Sequence, residues 1–287
     1  MTWVAIPGTH DLRLGEGMKP DPGFSSENEA WPDEAEPLKI EAFYLAAYPV
    51  TVAQYRPFVE AGGYRQDRYW TEVGIQWRGD RYFPWFWNEP MWSLDNNPVT
   101  GVSWYETVAY CRWLDECLHE AGRMPVGLVL RLPTEAEWEW AARGPEGRRW
   151  PWGDEWQENS CNGEEAKIGR PNAVGSFPVG ASHVWRNLST KLTVLEPCQD
   201  TLFDMAGNAW EWCSTRWQDR YPLPDLDSEW DRDYLEGDQI RVLRGGAWWT
   251  DQAGCRGAAR RGRSRRQELQ LGISVLRVHV FSISADF

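Results

Sequence analysis

The chain has 287 residues, 42% of them hydrophobic, and its 43 acidic side chains outnumber 30 basic ones for a formal net charge of −13 at pH 7. That balance fits a globular protein and argues against a general binder of nucleic acid or of anionic membrane surfaces. No apolar run reaches the roughly 18 residues that a membrane-spanning helix needs.

The first residues, Met1-Thr2-Trp3-Val4-Ala5-Ile6-Pro7-Gly8, lack a basic n-region and a long apolar h-region, so a cytoplasmic location is expected. Residues 1–39 are rich in Pro, Gly and acids and read as an irregular lead-in. In 40–50, Phe43, Tyr44, Leu45, Tyr48 and Val50 form a β-type run. Thr51 then caps a helix over 51–62, with Val52, Tyr55, Phe58 and Val59 at helical spacing. A Trp-rich loop covers 69–92. Ser103 caps a second helix over 104–120, whose stripe is Val108, Cys111, Leu114 and either Cys117 or Leu118. A third helix follows Thr134 and ends near Gly144; Glu135 and Glu137 lie in its first turn, where the helix dipole favours acids.

Residues 153–197 carry turn residues and no sustained period, so loop with short strands is expected there. A strand follows the 204–212 motif, an acidic loop spans 219–238, and further strands are expected at 241–243 and 274–280. No fixed-period repeat and no Pro/Gly/Ser linker divides the chain. The expectation is one domain, 1–287, of loop-dominated α+β structure.

Twenty-one Trp and 26 Gly are unusual totals. They point to irregular structure pinned by aromatic plugs, with indole N–H groups bonded to loop carbonyls. The six cysteines (Cys111, Cys117, Cys161, Cys198, Cys213, Cys255) include no CxxC pair, and the four histidines have no ligand-pair spacing. In a cytosolic chain such cysteines are reduced and partly buried.

Six ordered motifs carry a resemblance. They are the 43–55 run, Pro98-Val99-Thr100-Gly101-Val102-Ser103-Trp104, Arg131-Leu132-Pro133-Thr134-Glu135-Ala136-Glu137-Trp138-Glu139-Trp140-Ala141, Trp152-Gly153-Asp154, Gly207-Asn208-Ala209-Trp210-Glu211-Trp212 and Arg244-Gly245-Gly246. Together they resemble the formylglycine-generating-enzyme (sulfatase-modifying factor) family over about residues 40–278. The resemblance implies an elaborated C-type-lectin fold, loop-rich with little regular secondary structure, and bound divalent cations.

Family members that oxidise a sulfatase cysteine carry a copper-binding cysteine pair just downstream of the Arg-Gly-Gly motif. Here that window holds Cys255 alone, and one thiolate cannot supply a two-sulfur Cu(I) site. Cys213 is remote in sequence. The histidine cluster of the related iron-dependent sulfoxide synthases has no counterpart either. No copper is therefore expected, and on these grounds the chain reads as not an enzyme.

The segment 244–277 also resembles the variable proteins of diversity-generating retroelements. Those frame free windows with Arg-Gly-Gly-Ser-Trp, Cys-Arg-Ser-Ala-x-Arg and Gly-Phe-Arg. This chain departs at Ala247, Gly257, Ile273 and Ser274. The implied reading is a non-catalytic protein that presents 248–277 to a macromolecular ligand, a protein rather than nucleic acid or membrane. Its binding face would comprise Trp249, Thr250, Asp251, Gly254, Gly257, Ala259, Arg261, Arg263, Ser264, Leu269, Leu271 and Ile273. Trp249, Leu269 and Leu271 would be apolar anchors, unless the leucines are core. Arg256 and Arg260 read as framework arginines tied to buried carboxylates or carbonyls. The alternative is a formylglycine-generating-type oxidase, or another metal-dependent family enzyme, with an atypical site.

Asp204, Gly207, Ala209 and Glu211 match a cation site of the family, with two carboxylates and two carbonyls around a Gly turn. Such oxygen ligands suit a structural Ca²⁺ or Mg²⁺. The competing reading is that Asp204 caps the turn and Glu211 pairs with an arginine. Trp210 and Trp212 flank Glu211 on one strand face and read as core.

Overall fold

The computed structural model describes residues 1–15, 27–185, 195, 198–221, 232–237, 239–263, 274–275 and 279–282. In chain order the strands begin with β1 (Trp3–Ile6), β2 (Thr9–Leu12), β3 (Leu38–Ile40), β4 (Phe43–Ala46), β5 (Leu128–Arg131) and β6 (Cys198–Gln199). They continue with β7 (Trp210–Arg216), β8 (Arg241–Arg244), β9 (Arg260–Arg263), β10 (Ser274–Val275) and β11 (His279–Ser282). The α-helices are α1 (Val52–Glu60), α2 (Glu72–Arg78), α3 (Trp104–Glu120), α4 (Glu135–Arg143) and α5 (Arg232–Leu235). The architecture is α+β, with short elements separated by long loops.

One sheet has the strand order β5-β11-β4-β1-β6 and a second has β10-β7-β8-β9, while β2 and β3 pair separately. Side chains alternate across a strand, and the first sheet uses both faces. Trp3, Tyr44 and Ala46 enter a core shared with Tyr55, Phe58, Trp104 and Val108 of α1 and α3. Val4, Ile6, Phe43 and Leu45 enter the opposite core, with Trp138, Trp140 and Ala141 of α4. A strand buried on both faces reads as a continuous apolar run, as Trp3–Ile6 does.

That run corrects the lead-in expectation. β1 lies inside the first sheet between β4 and β6, and residues 9–12 and 38–40 form their own hairpin-like pair. The Pro- and acid-rich composition of the region masked a four-residue core strand.

All three helices expected from sequence are present and start at reciprocal caps. Thr51 pairs with Gln54, Ser103 with Glu106, and Thr134 with Glu137, each satisfying two otherwise unpaired backbone N–H groups. The Trp-rich loop contains a helix that its composition hid: Thr71 Oγ1 accepts the Gly74 N–H at 3.0 Å and starts α2. The single strand expected at 274–280 is two strands in two sheets. β10 runs parallel to β7, and β11 lies between β4 and β5.

The tryptophans pin loops as their number implied. Trp70 donates to the Gly63 carbonyl at 2.9 Å, Trp140 to Pro7 at 2.8 Å and Trp185 to Ala141 at 2.9 Å. Trp212 reaches Val102 at 3.1 Å and Trp104 reaches Cys213 at 3.2 Å.

Candidate functional site

The C-terminal motif is anchored by arginines that the fold has fully enclosed. Arg244, at the end of β8, places one guanidinium nitrogen 2.6 Å from Glu139 and 2.8 Å from Glu135 of α4. Its other terminal nitrogen donates to the carbonyls of Gly257, Ala258 and Ala259 at 3.1, 2.9 and 3.3 Å. Arg260 forks onto both oxygens of Glu135 at 2.7 and 2.8 Å, and Arg256 onto both oxygens of Glu29 at 2.8 and 3.0 Å. These are the framework roles expected of Arg256 and Arg260.

Burial by itself would raise the Glu139 carboxyl, but Arg244 and Arg143 outweigh it and hold the group below its ordinary value. Burial would lower the Arg244 guanidinium, and Glu135, Tyr221 and Glu139 instead push it well above. At Glu29 the balance tips the other way: burial raises the carboxyl despite Arg256.

Beyond Arg244 the chain turns on Gly245 and Gly246, both at positive φ. A Cβ on Gly246 would lie 2.8 Å from the Cys255 sulfur, so this position combines a left-handed backbone with a close approach. The next turn closes on Thr250, whose hydroxyl accepts the Ala247 N–H at 2.9 Å while its own N–H reaches the Ala247 carbonyl at 2.8 Å.

The Thr250 carbonyl then joins two distant segments, accepting the Glu164 N–H at 2.9 Å and the Cys255 thiol at 3.5 Å. Gln252 N–H donates to the Glu165 carboxylate at 2.8 Å, and Trp150 caps the Gln252 carbonyl at 3.0 Å. These contacts bring Cys161 beside Cys255. Both are buried and free, and both pack with Ala206 under Trp152 and Trp156. The neighbouring Cys161 thiol first, and burial second, hold the Cys255 thiol well above the ordinary thiol range.

Sequence reasoning missed this pair. It weighed Cys213, which lies in the opposite core, and found no period or spacing around Ser160-Cys161-Asn162-Gly163. Two thiols in contact are the donor set that a soft, two-coordinate ion takes, so the one-thiol argument against copper does not describe this fold. Among the described residues, no three His, Cys, Asp or Glu side chains converge as a metal-ligand group.

The expected binding face is divided by the structure. Asp251 is exposed, and Trp249, Gly254 and Arg261 are half-buried, with the Arg261 guanidinium 5.5 Å from the Trp249 ring. Thr250, Gly257 and Ala259 are buried. Thr250 is held by its turn, Gly257 lies against the Arg143 side chain, and the Gly257 and Ala259 carbonyls serve Arg244. Arg263 is described as part of β9 only in its backbone. Ser264, Leu269, Leu271 and Ile273 lie outside the described residues. Trp248, ahead of the face, stacks edge-on against Trp92 at 6.2 Å, and Trp92 lies on Phe86 at 4.5 Å.

Of the four expected cation ligands, Asp204 adopts φ 55° and accepts the Gly175 N–H at 2.7 Å. Gly207 sits at φ 72° and donates to the Gly245 carbonyl at 2.7 Å, which ties this turn to the Arg-Gly-Gly motif. The Ala209 N–H donates to the Gly207 carbonyl at 2.8 Å. Glu211 is fully buried on β7, and its carboxylate accepts the Trp138 indole N–H at 2.7 Å. Trp210 and Trp212 share one core, as the strand alternation requires.

A family profile, the sulfatase-modifying factor enzyme 1-like domain, matches residues 8–278. The chain is 30% identical over 256 residues to a hercynine oxygenase of Mycolicibacterium thermoresistibile, covering 82% of this chain and 49% of that protein. It is 30% identical to a formylglycine-generating enzyme of Thermomonospora curvata, covering 88% of this chain and 84% of that one. The solved structure of Treponema denticola variable protein 1 shares the fold, at 19% identity and a TM-score of 0.58, covering 96% of this chain and 94% of that one. The chain spans about half the length of the hercynine oxygenases it matches.

These relatives overturn the expectation that the chain is not an enzyme. The proteins it resembles at about 30% identity over most of its length are named for enzymatic activities. The expectation had rested on an isolated Cys255 and on the absence of a histidine cluster, and Cys161 is the neighbour of Cys255 in the fold. The profile match over nearly the whole chain, with the 30% identity to a formylglycine-generating enzyme, establishes that this protein belongs to the sulfatase-modifying factor family.

Proposed function

We propose that the chain is an oxidative enzyme of the sulfatase-modifying factor family whose soft-donor site is the buried pair Cys161 and Cys255. The observation that carries the proposal is the meeting of these two thiols beside the Arg-Gly-Gly turn. Relatives named hercynine oxygenase and formylglycine-generating enzyme support an oxidative reaction. Cu(I) held by the two thiolates would supply one-electron chemistry with dioxygen. The chain's own part is to hold the two sulfurs together, to pack them beneath Trp152 and Trp156, and to fix both loops through the Thr250 carbonyl.

The side chains that the 249–261 segment leaves exposed or half-buried, Trp249, Asp251, Gly254 and Arg261, would then form the surface that meets a macromolecular substrate. A peptide carrying a sulfatase-type cysteine is the reading they fit, because an exposed acid and an arginine-backed indole offer both polar and apolar contacts. A hard cation at Asp204, Gly207, Ala209 and Glu211 would be structural, bracing the turn against Gly245.

The test is turnover. Reduced protein loaded with Cu(I) is given dioxygen and a sulfatase-motif peptide, and in parallel hercynine with ferrous iron. Conversion of the peptide cysteine to formylglycine, lost in Cys255→Ser, supports the proposal. Peptide conversion no greater than in Cys255→Ser contradicts the thiol site. Iron-dependent consumption of hercynine alone would move the chemistry away from the thiols.

A further inference from the structure

Cys161 and Cys255 are brought together by three contacts that do not involve sulfur. The Thr250 carbonyl takes the Glu164 N–H at 2.9 Å, the Glu165 carboxylate takes the Gln252 N–H at 2.8 Å, and Asn208 N–H reaches the Asn162 carbonyl at 2.8 Å. The loop around 161–165 is thus clamped to the 250–255 turn on one side and to the Gly207 turn on the other. Neither cysteine can drift from its partner without breaking backbone hydrogen bonds. Gly246 and Gly163 leave room for the sulfurs: a Cβ at either would stand 2.8 or 3.5 Å from the Cys255 Sγ. The clamp, the two glycines and the two free thiols together describe a prepared cross-link position.

We propose that Cys161 and Cys255 are a covalent modification site, closing reversibly to an intramolecular disulfide by exchange with a small-molecule disulfide. Cys161 keeps 5% of its surface exposed while Cys255 keeps none, so Cys161 attacks first. Its sulfur bonds to one sulfur of the reagent and expels the other as a thiol. Cys255 then attacks the Cys161 sulfur of the mixed disulfide and expels the second thiol. Two protein thiols and one reagent disulfide become one protein disulfide and two reagent thiols, and both protons leave with the reagent.

The bond would tie the 161–165 loop covalently to the Arg-Gly-Gly turn and would consume both soft donors. The bond itself does not depend on the enzymatic reading. Its consequence for activity does rest on that reading, because an oxidised pair cannot hold a soft ion. Closing a loop of this length also constrains the unfolded chain, so the oxidised protein should melt at a higher temperature.

The folded, full-length protein is incubated with oxidised glutathione, its remaining thiols are alkylated, and the digest is mapped by mass spectrometry. The expected result is a peptide joining Cys161 to Cys255, lighter by two hydrogens than its reduced halves and abolished by dithiothreitol. Cys213→Ser should leave it intact and Cys161→Ser should remove it. Full alkylation of both cysteines after treatment, or glutathione held stably on each, would overturn the proposal. Wild-type mapping suffices if Cys161→Ser does not fold. A parallel Cu(I) titration separates the two ideas. A cross-link in a protein that takes up no copper when reduced would leave this proposal standing and remove the metal site. Copper uptake without a cross-link would do the reverse.

Discussion

The thiol of Cys255 packs beside that of Cys161 in a cluster closed by Trp152 and Trp156. The contact depends on the loop at 160–165 docking onto the turn at 246–255 through backbone groups. It also depends on the Arg244 scaffold, which fixes where that turn begins.

Arg244 should be the most costly arginine to remove. Arg244→Ala removes one of the two guanidinium groups on Glu139, leaving Arg143, and takes the Arg244 donor from three carbonyls. Breaking a buried ion pair from one side costs about 3–5 kcal/mol. Urea unfolding should show a loss of that size, or no folded protein. A change below about 1 kcal/mol would mean that the scaffold is redundant.

The same cluster sets a direction for pH dependence. The Glu139 carboxyl is held below its ordinary value of 4.5 in the folded state. Its unfolded form therefore binds protons first, and its contribution to stability is complete above 4.5 and is lost as pH falls through the lower folded value. Glu106 runs oppositely. Burial raises its carboxyl despite the Tyr64 and Ser103 hydrogen bonds, so its contribution is full below 4.5 and declines as pH rises through the raised folded value. Glu106→Gln should remove that second slope from a stability-against-pH series and leave the acid limb of Glu139 in place. An unchanged slope above 4.5 would show that Glu106 does not titrate there.

Substitutions along 249–261 should divide sharply. Asp251→Ala and Trp249→Ser alter an exposed and a half-buried side chain, and Asp251→Ala, which loses one turn bond to the Gly254 N–H, should cost about 0.5–1 kcal/mol. Gly257→Ala should cost about 1–3 kcal/mol, because its Cβ would stand 2.5 Å from Arg143 Cγ. Thermal melts of the single variants check the split. Equal tolerance at Gly257 and Asp251 would return the whole segment to a display surface.

Much of this fold was legible because its signals are local. Thr51, Ser103 and Thr134 each sit three residues before a Gln or Glu, and each starts a helix. Arg256 and Arg260 were readable as framework because a strongly acidic chain offers buried carboxylates to pair with them. β1 was not legible, since four apolar residues beside a Pro-Gly step carry no period long enough to distinguish a core strand. The thiol pair was hidden for a different reason. Cys161 stands in a loop without periodicity, and its proximity to Cys255 is produced by the Thr250 carbonyl and the Glu165 carboxylate, which are tertiary contacts. The burial of Gly257 and Ala259 was likewise set by Arg143 and Arg244 from other elements.

The most direct measurement is an anaerobic Cu(I) competition titration of the reduced protein alongside Cys161→Ser and Cys255→Ser, with folding of each checked by circular dichroism. The thiol-pair account predicts that the parent competes for a single ion per chain and that either substitution abolishes the competition. Equal copper uptake by all three proteins, or none by the parent, would contradict it.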